Sequence, residues 1–203
     1  MIAELTSELN GRVDVRVASA TEAVGLLSPT VTHYVVKEKW WDWGGGDIVN
    51  HEGQTLGKMH RRVISMRALV EVADVSGALV FTVHKKLVSM RPSYMIQDAD
   101  GQVLGRTNRK LLTLFRPKLW LEDASGHQLV EASGNFLGKR FDLKDKNGTP
   151  KATVGKSDFF KDLVFGGLFD FADTYVVHVV DPHYDKRLLL GFVIAIDNSV
   201  HDK

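Results

Sequence analysis

The side chains that could act together chemically are cations in the middle third of the chain. Residues 58–118 carry 12 Lys/Arg against 4 Asp/Glu, whereas the segments before and after them have net charges of −4 and −3. Converging Lys and Arg side chains bind phosphate groups through charge-assisted hydrogen bonds. The residues predicted to bind a phosphate or lipid head group are Lys85, Lys86, Arg106, Arg109, Lys110, Arg116 and Lys118. The alternative interpretation is a set of solvated cations at outward strand positions.

Two aromatic stretches form a second candidate site. Trp and Phe side chains near a membrane or protein surface anchor well, because a Trp ring is apolar but keeps a polar N–H group. The residues predicted to contact a membrane or a partner are Trp40, Trp41, Trp43, Phe159, Phe160, Phe165 and Phe169. Two alternatives remain open: these aromatic side chains cover the ends of a barrel, or they form the interface of a dimer.

Catalytic and metal-binding signatures are absent from the sequence. There are 0 Cys residues, which excludes a disulfide framework, a thiolate zinc site and a Cys nucleophile. The 8 His residues are scattered, without the spacing of a known zinc motif, and no nucleophile elbow or phosphate-binding loop occurs. The sequence therefore predicts a protein that is not an enzyme and has no metal site and no cofactor.

The N-terminal residues indicate in which cellular compartment the protein is expected. The segment 1–8 contains acids where a signal peptide has bases, and no apolar run follows it. The prediction is a cytoplasmic protein, able to lie at the periphery of a membrane. The partners expected are an anionic membrane lipid, a protein partner or a second copy of the chain, and not a nucleic acid.

The elements that must position these residues repeat along the chain. An Asn or Asp followed three residues later by Gly occurs at Asn50, Asp74, Asp98, Asp123 and Asp145. Such an Asn or Asp hydrogen-bonds the backbone ahead of it, and the Gly supplies the positive φ of a tight turn. Alternating or β-branched runs flank each turn, so the pattern predicts five β-hairpins. With further strands near the N-terminus and at 174–180, about a dozen antiparallel strands can close a mainly β barrel.

The last apolar run of the sequence is predicted to occupy the interior of that barrel. Nine consecutive residues, Leu188–Ile196, are apolar on every side of a helix, and this is too short for a bilayer. Asp181 and Pro182 suit the start of a helix, which predicts a helix over about 182–198 enclosed by the barrel. Gly191 is then expected where a strand side chain approaches the helix closely.

The pattern divides the chain into an N-terminal extension and one barrel domain. Residues 1–30 are predicted to be an N-terminal extension with one strand and a short helix, which can join the barrel. Residues 31–203 are predicted to be the barrel domain.

The ordered set of motifs resembles the LURP-one-related family of the tubby C-terminal-like and phospholipid scramblase superfamily. The resemblance covers about residues 32–200. It rests on Val35–Lys39, Met90–Gly101, Gly134–Phe136 with Phe141, Asp173–Val177 and Leu188–Asp197.

The resemblance implies a twelve-stranded barrel around a central hydrophobic helix. It also implies the behaviour of the superfamily, in which tubby domains bind phosphoinositide head groups through Lys and Arg. Scramblase-like lipid transport and a purely structural or oligomerisation role are the alternative functions.

Overall fold

A computed structural model describes residues 24–37, 46–64, 67–86, 93–111, 117–135, 140–156 and 174–201. Within them the chain forms twelve strands and two helices. The strands are β1 His33–Lys37, β2 Gly46–Val49, β3 Thr55–Ile64, β4 Arg67–Asp74, β5 Leu79–Lys86, β6 Ser93–Asp98, β7 Val103–Leu111, β8 Pro117–Glu122, β9 Gln128–Asn135, β10 Arg140–Lys144, β11 Pro150–Lys156 and β12 Thr174–Val179. The helices are α1 Val24–Leu27 and α2 Lys186–His201.

The strands close into one antiparallel barrel, as the sequence predicted. Each strand pairs with the next along the chain, and β1 pairs with β12 to complete the ring. Closure leaves no exposed sheet edge in this barrel. The short helix expected before Ser28 is α1, whereas the strand expected at residues 12–17 lies outside the described residues.

Five turns of one type lie at the same end of the barrel, which we call the turn end. In each, the Oδ1 atom of the opening Asn or Asp accepts hydrogen bonds from the backbone N–H groups two and four residues ahead. The Gly of each turn has φ between 81° and 87°. These bonds satisfy the turn's own backbone and fix the register of the hairpin that follows.

Helix α2 is enclosed by the barrel. Every residue from Leu188 to Ile196 is at most 9% exposed, and α2 packs against β5, β6 and β7. A Cβ atom added to Gly191 would lie 2.9 Å from Ile96 Cδ1, which confirms the close approach predicted there. The apolar run is therefore the core of the barrel.

The start of α2 corrects one predicted boundary. The helix begins at Lys186 and ends at His201, rather than spanning about 182–198. Asp181 accepts hydrogen bonds from the N–H groups of His183 and Tyr184, so that it caps a turn. Asp185 is the residue that caps the helix, accepting from Arg187 N–H through Oδ1.

Candidate functional site

The predicted basic residues divide between different parts of the barrel. Lys85 on β5 and Arg109 on β7 are half-buried, whereas Arg106 on β7 is exposed. In the backbone register Lys110 lies opposite Lys118 across β7 and β8. The side chains of these last two residues and of Lys86, and the whole of Arg116, lie outside the described residues.

The strand register shows that Lys85 and Arg109 face the interior. Residues directly opposite each other in an antiparallel pair point to the same side of the sheet. Lys85 lies opposite Tyr94 and Arg109 opposite Leu119, both of which belong to the buried core. Arg106 lies opposite Glu122 and faces outward. The sequence therefore grouped residues that the barrel separates onto two faces.

Two further cations, neither of them predicted from the sequence, lie on the same interior wall. Arg61 on β3 lies opposite the core residue Val70. Lys156 on β11 lies opposite Tyr175, and its Nζ atom is 5.7 Å from the centre of the Tyr175 ring. Both cations are half-buried.

The position of these cations in the repeated hairpins could have revealed them. Each is the eleventh residue after the Asn or Asp that opens its turn, and the same position in the fourth hairpin is Gly134. Because the five turns lie at one end and the hairpins share one register, these positions lie at one level of the barrel. We call Arg61, Lys85, Arg109 and Lys156 the basic ring.

The wall between the turn end and the basic ring is uncharged. The ninth residue after each turn opening is buried, and these residues are Met59, Val83, Thr107, Ala132 and Val154. The seventh residue is buried as well, and these residues are Gly57, Phe81, Gly105, Val130 and Ala152. The interior therefore changes from uncharged to cationic in a single step of two residues along the strands.

Asp74 and Asp98, at the turn ends of β4 and β6, lie opposite the interior residues Gly57 and Phe81. Five other acids in the described strands occupy the outer face. Each alternates with, or directly follows, a residue of the buried core, and they are Asp47, Glu71, Glu122, Glu131 and Asp142. Outward cations find partners among them: Arg62 Nε lies 2.9 Å from Glu71 Oε2. In the part of the chain that the structure describes, the buried Nε atoms of Arg61 and Arg109 make no hydrogen bond. Such atoms are exceptions in proteins and call for an explanation.

The ring surrounds the last part of α2. Gly191 contacts Ile96, which pairs with Val83, and Lys85 lies two residues farther along β5. Two strand residues span roughly 7 Å, and a helix rises by that distance over about four residues. The ring is therefore level with about the fourth residue after Gly191. The C-terminal end of a helix carries about half a negative charge. Helix α2 continues past that level to His201, so its negative end lies on the ring side of the barrel and not at the turn end.

A group of three histidines lies on the outer face at the turn end. The rings of His33 and His178 are stacked with their centroids 4.4 Å apart, and His51 meets His33 at 6.1 Å. Burial, together with these two neighbours, lowers the pKa of His33 from 6.5 to about 4. Among the described residues no three His, Asp or Glu side chains are arranged to hold a metal ion.

The predicted aromatic site cannot be placed. All of its residues, Trp40, Trp41, Trp43, Phe159, Phe160, Phe165 and Phe169, lie outside the described residues. No helix in the described part of the chain is both long and apolar enough to cross a bilayer.

A closed barrel of twelve antiparallel strands around a buried helix defines a narrow class of proteins. The chain belongs to the LURP-one-related family, whose sequence model matches residues 32–197. Among solved structures it is similar to an X-ray structure of a protein from Arabidopsis thaliana. The identity is 13% and the TM-score 0.56, over 85% of this chain and 96% of that one. No curated protein matches the sequence.

Proposed function

We propose that this protein is a non-enzymatic binding module for anionic phospholipid head groups, which tethers it to the cytoplasmic surface of a membrane. The observation that supports this function best is that Lys85 on β5 and Arg109 on β7 both face the interior wall of the barrel. The two come from successive hairpins, and Glu71 and Glu122, on the strands next to theirs, lie on the opposite face. Such a surface favours a phosphate group over a neutral head group.

The charge distribution of the chain supports the same proposal. The segment 58–118, which forms β4 to β7 and parts of β3 and β8, holds 12 Lys/Arg against 4 Asp/Glu. Near an anionic leaflet each Lys or Arg is worth about 1 kcal/mol, and this attraction falls off within a Debye length. The interior between the turn end and the basic ring is packed with apolar side chains and α2, which favours binding over catalysis.

Liposome flotation tests the proposal. The protein is expected to float with vesicles of phosphatidylcholine that contain a few per cent of phosphatidylinositol bisphosphate, and not with phosphatidylcholine alone. Binding should weaken as salt rises from roughly 50 to 300 mM, because the contacts are ionic. Equal binding to both kinds of vesicle, or none to either, would contradict the proposal.

The alternative functions predict other results in the same preparation. A scramblase-like protein would move a labelled lipid between the leaflets of a vesicle. An oligomerisation protein would sediment as a dimer or larger species without any lipid requirement. Either result, obtained without selective binding to anionic vesicles, would replace the function proposed here.

A further inference from the structure

We infer that a row of buried residues on the outer face of the barrel is a docking surface, and that its occupant is the phenylalanine-rich connection 157–173 of the same chain. This inference goes beyond the proposed function and does not depend on lipid binding. It gives four of the predicted contact residues a partner within the protein itself, and these residues are Phe159, Phe160, Phe165 and Phe169.

The row crosses four adjacent strands at the place where the barrel closes. Val176 on β12 lies opposite Gly155 on β11 and, on its other side, opposite Val35 on β1. Val35 in turn lies opposite Val49 on β2. Val36, the next residue along β1, belongs to the interior core, so the alternation of the strand directs Val35 outward. We call Gly155, Val176, Val35 and Val49 the outer row.

The outer row is buried although it lies on the outside of the barrel. Its three valines are at most 3% exposed, and they form a hydrophobic cluster separate from the interior core. Gly155 is buried as well. Elsewhere on the outer face, outward residues such as Glu71, Asn108 and Asp142 are polar and partly exposed. An apolar sheet face is buried in this way when a second layer of protein packs against it.

The helices and strands of the described residues do not provide that layer. All twelve strands belong to the barrel wall. Helix α2 lies inside the barrel against β5, β6 and β7, and α1 packs against β3. The cover is then a part of the chain outside the described residues.

The length and the ends of the connection 157–173 fit this cover. It begins two residues after Gly155, and it ends at Thr174, two residues before Val176. Adjacent antiparallel strands need a connection of only about two to five residues, and this one is several times longer. It also holds five of the 10 Phe residues of the chain, which need apolar cover of their own.

Two other segments outside the described residues fit this surface less well. Residues 1–23 lead into α1, which packs against β3, three strands away from β12 in the barrel. Residues 38–45 join β1 to β2, whereas the buried face continues past β1 to Val176, Thr174 and Gly155. Only the connection 157–173 starts and ends on the two strands that carry these last three residues.

Thiol labelling of the full chain without lipid measures the cover, because the chain has 0 Cys and an introduced Cys is its only thiol. Val35→Cys and Val176→Cys should react with a maleimide at least about 100-fold more slowly than Lys58→Cys, an exposed position on the outer face of β3. Equally fast labelling at all three positions would overturn the outer row as a covered surface.

The occupant is tested by removing its aromatic side chains in the Val35→Cys background. Replacing Phe159, Phe160, Phe165 and Phe169 by Ser should raise the labelling rate about tenfold or more. The matched control replaces Trp40, Trp41 and Trp43 by Ser and should change the rate less than about twofold. No rise in the Phe variant, or an equal or larger rise in the Trp variant, would overturn the connection as the occupant.

A second measurement keeps the inference testable if the Phe variant does not fold, which Val177→Cys on the interior face of β12 would reveal by fast labelling. Val35→Cys is combined with one further Cys at a time, at Phe159, Phe160, Phe165 or Phe169. At least one pair should form an intramolecular disulfide under mild oxidation, whereas Val35→Cys/Val15→Cys should not. No disulfide in any of the four pairs, or a disulfide with Val15→Cys alone, would overturn the inference.

Dilution separates docking within one chain from burial by a second copy. Docking within the chain predicts the same labelling rate of Val35→Cys from roughly 100 down to 1 µM protein. A rate that rises on dilution, together with a dimer in sedimentation, would assign the outer row to an interface between two copies and overturn the connection as its occupant.

Discussion

Charged side chains are arranged differently at the two ends of the barrel. At the turn end, cations and carboxylates lie in contact: Lys151 is 3.0 Å from Asp181 and 3.4 Å from Asp145, and Arg187 is 2.7 Å from Asp185. The Asp side chains of the turns also accept backbone N–H groups. At the level of the basic ring, cations line the interior and the described acids lie outside.

This difference separates charges that hold elements of the fold together from charges that line the interior wall. At the turn end each ionic contact joins elements that the fold must hold together, such as the last hairpin turn and the turn before α2. The ring makes the barrel interior more positive and joins no comparable set of described acids. The buried Nε atoms of Arg61 and Arg109 make no hydrogen bond among the described residues. Substitutions at the turn end should therefore act on stability, and substitutions in the ring on binding.

The largest expected effect is at Gly191, which fixes α2 between the two ends. The change Gly191→Arg would force a side chain into Ile96 and place an unpaired charge in the core. We expect a loss of more than about 4 kcal/mol in the free energy of unfolding, and no soluble folded protein. Expression in the soluble fraction and a circular dichroism melt measure the outcome.

Two smaller substitutions test the same contact in a protein that is expected to fold. Gly191→Ala should be destabilised because its Cβ lies 2.9–3.1 Å from three atoms of Ile96. Adding Ile96→Val removes one of those atoms and should recover part of the loss. If Gly191→Arg gave a soluble protein with a cooperative melt, α2 would not lie along the axis of the barrel between its two ends.

The second effect is at Asp74, a buried carboxylate of the turn end. Its Oδ1 atom accepts from Ser76 N–H, Ser76 O–H and Ala78 N–H. Asp74→Ala should cost about 2 kcal/mol, since buried donors lose their acceptor. Asp74→Asn should cost clearly less, because Asn50 makes the same two backbone bonds in its own turn. Urea unfolding of both variants measures the difference, and equal losses would mean that the charge, rather than the acceptor, matters.

The fold could be predicted from the sequence because its signals are local. Each turn carries its own Asx residue and Gly, and each hairpin has its own alternation, so strand number and closure follow from repetition. The helix is predicted by its apolar run, together with Asp181 and Pro182 before it. Its predicted start lies four residues before the observed one, because Asp181 and Asp185 both suit a cap. In the structure Asp181 caps a turn and contacts Lys151, whereas Asp185 caps the helix.

The site was harder to predict because it depends on alternation and on distant strands. Charge density along 58–118 pointed to Lys85 and Arg109 but also to Arg106, which faces the other side of the barrel. Arg61 is followed directly by Arg62, and charge density does not distinguish the inward residue from the outward one. Lys156 lies in the segment 119–203, whose net charge is negative. Counting from the turn residues recovers all four ring positions, since residues equivalent in the repeat are equivalent in the barrel.

A third, smaller effect concerns pH and the histidines at the turn end. Burial and the nearby His178 and His51 lower the pKa of His33 to about 4, whereas the unfolded chain takes up this proton near 6.5. The unfolded state therefore binds more protons between these values, and stability must fall as the pH drops from about 7 to about 4. Allowing for partial exposure, we expect a loss of about 1–2 kcal/mol.

His33→Gln isolates this contribution. The variant should show a flatter dependence of the unfolding free energy on pH between about 7 and 4. The matched control is His60→Gln, whose side chain is exposed on β3 and which should keep the slope of the unmodified protein. A slope unchanged by His33→Gln would assign the acid sensitivity to other groups.

The smallest expected change in stability is at the basic ring. A small change would indicate that Arg61 is not a structural charge. Arg61→Met keeps the apolar stem and removes the charge, so packing is largely conserved. In low-salt buffer without phosphate we expect the free energy of unfolding to stay within about 0.5 kcal/mol or to rise, because a repulsion is relieved. Any gain should shrink as salt screens the ring. A loss of 2 kcal/mol or more, similar to that at Asp74, would show that Arg61 is a structural charge and that the two ends do not differ in kind.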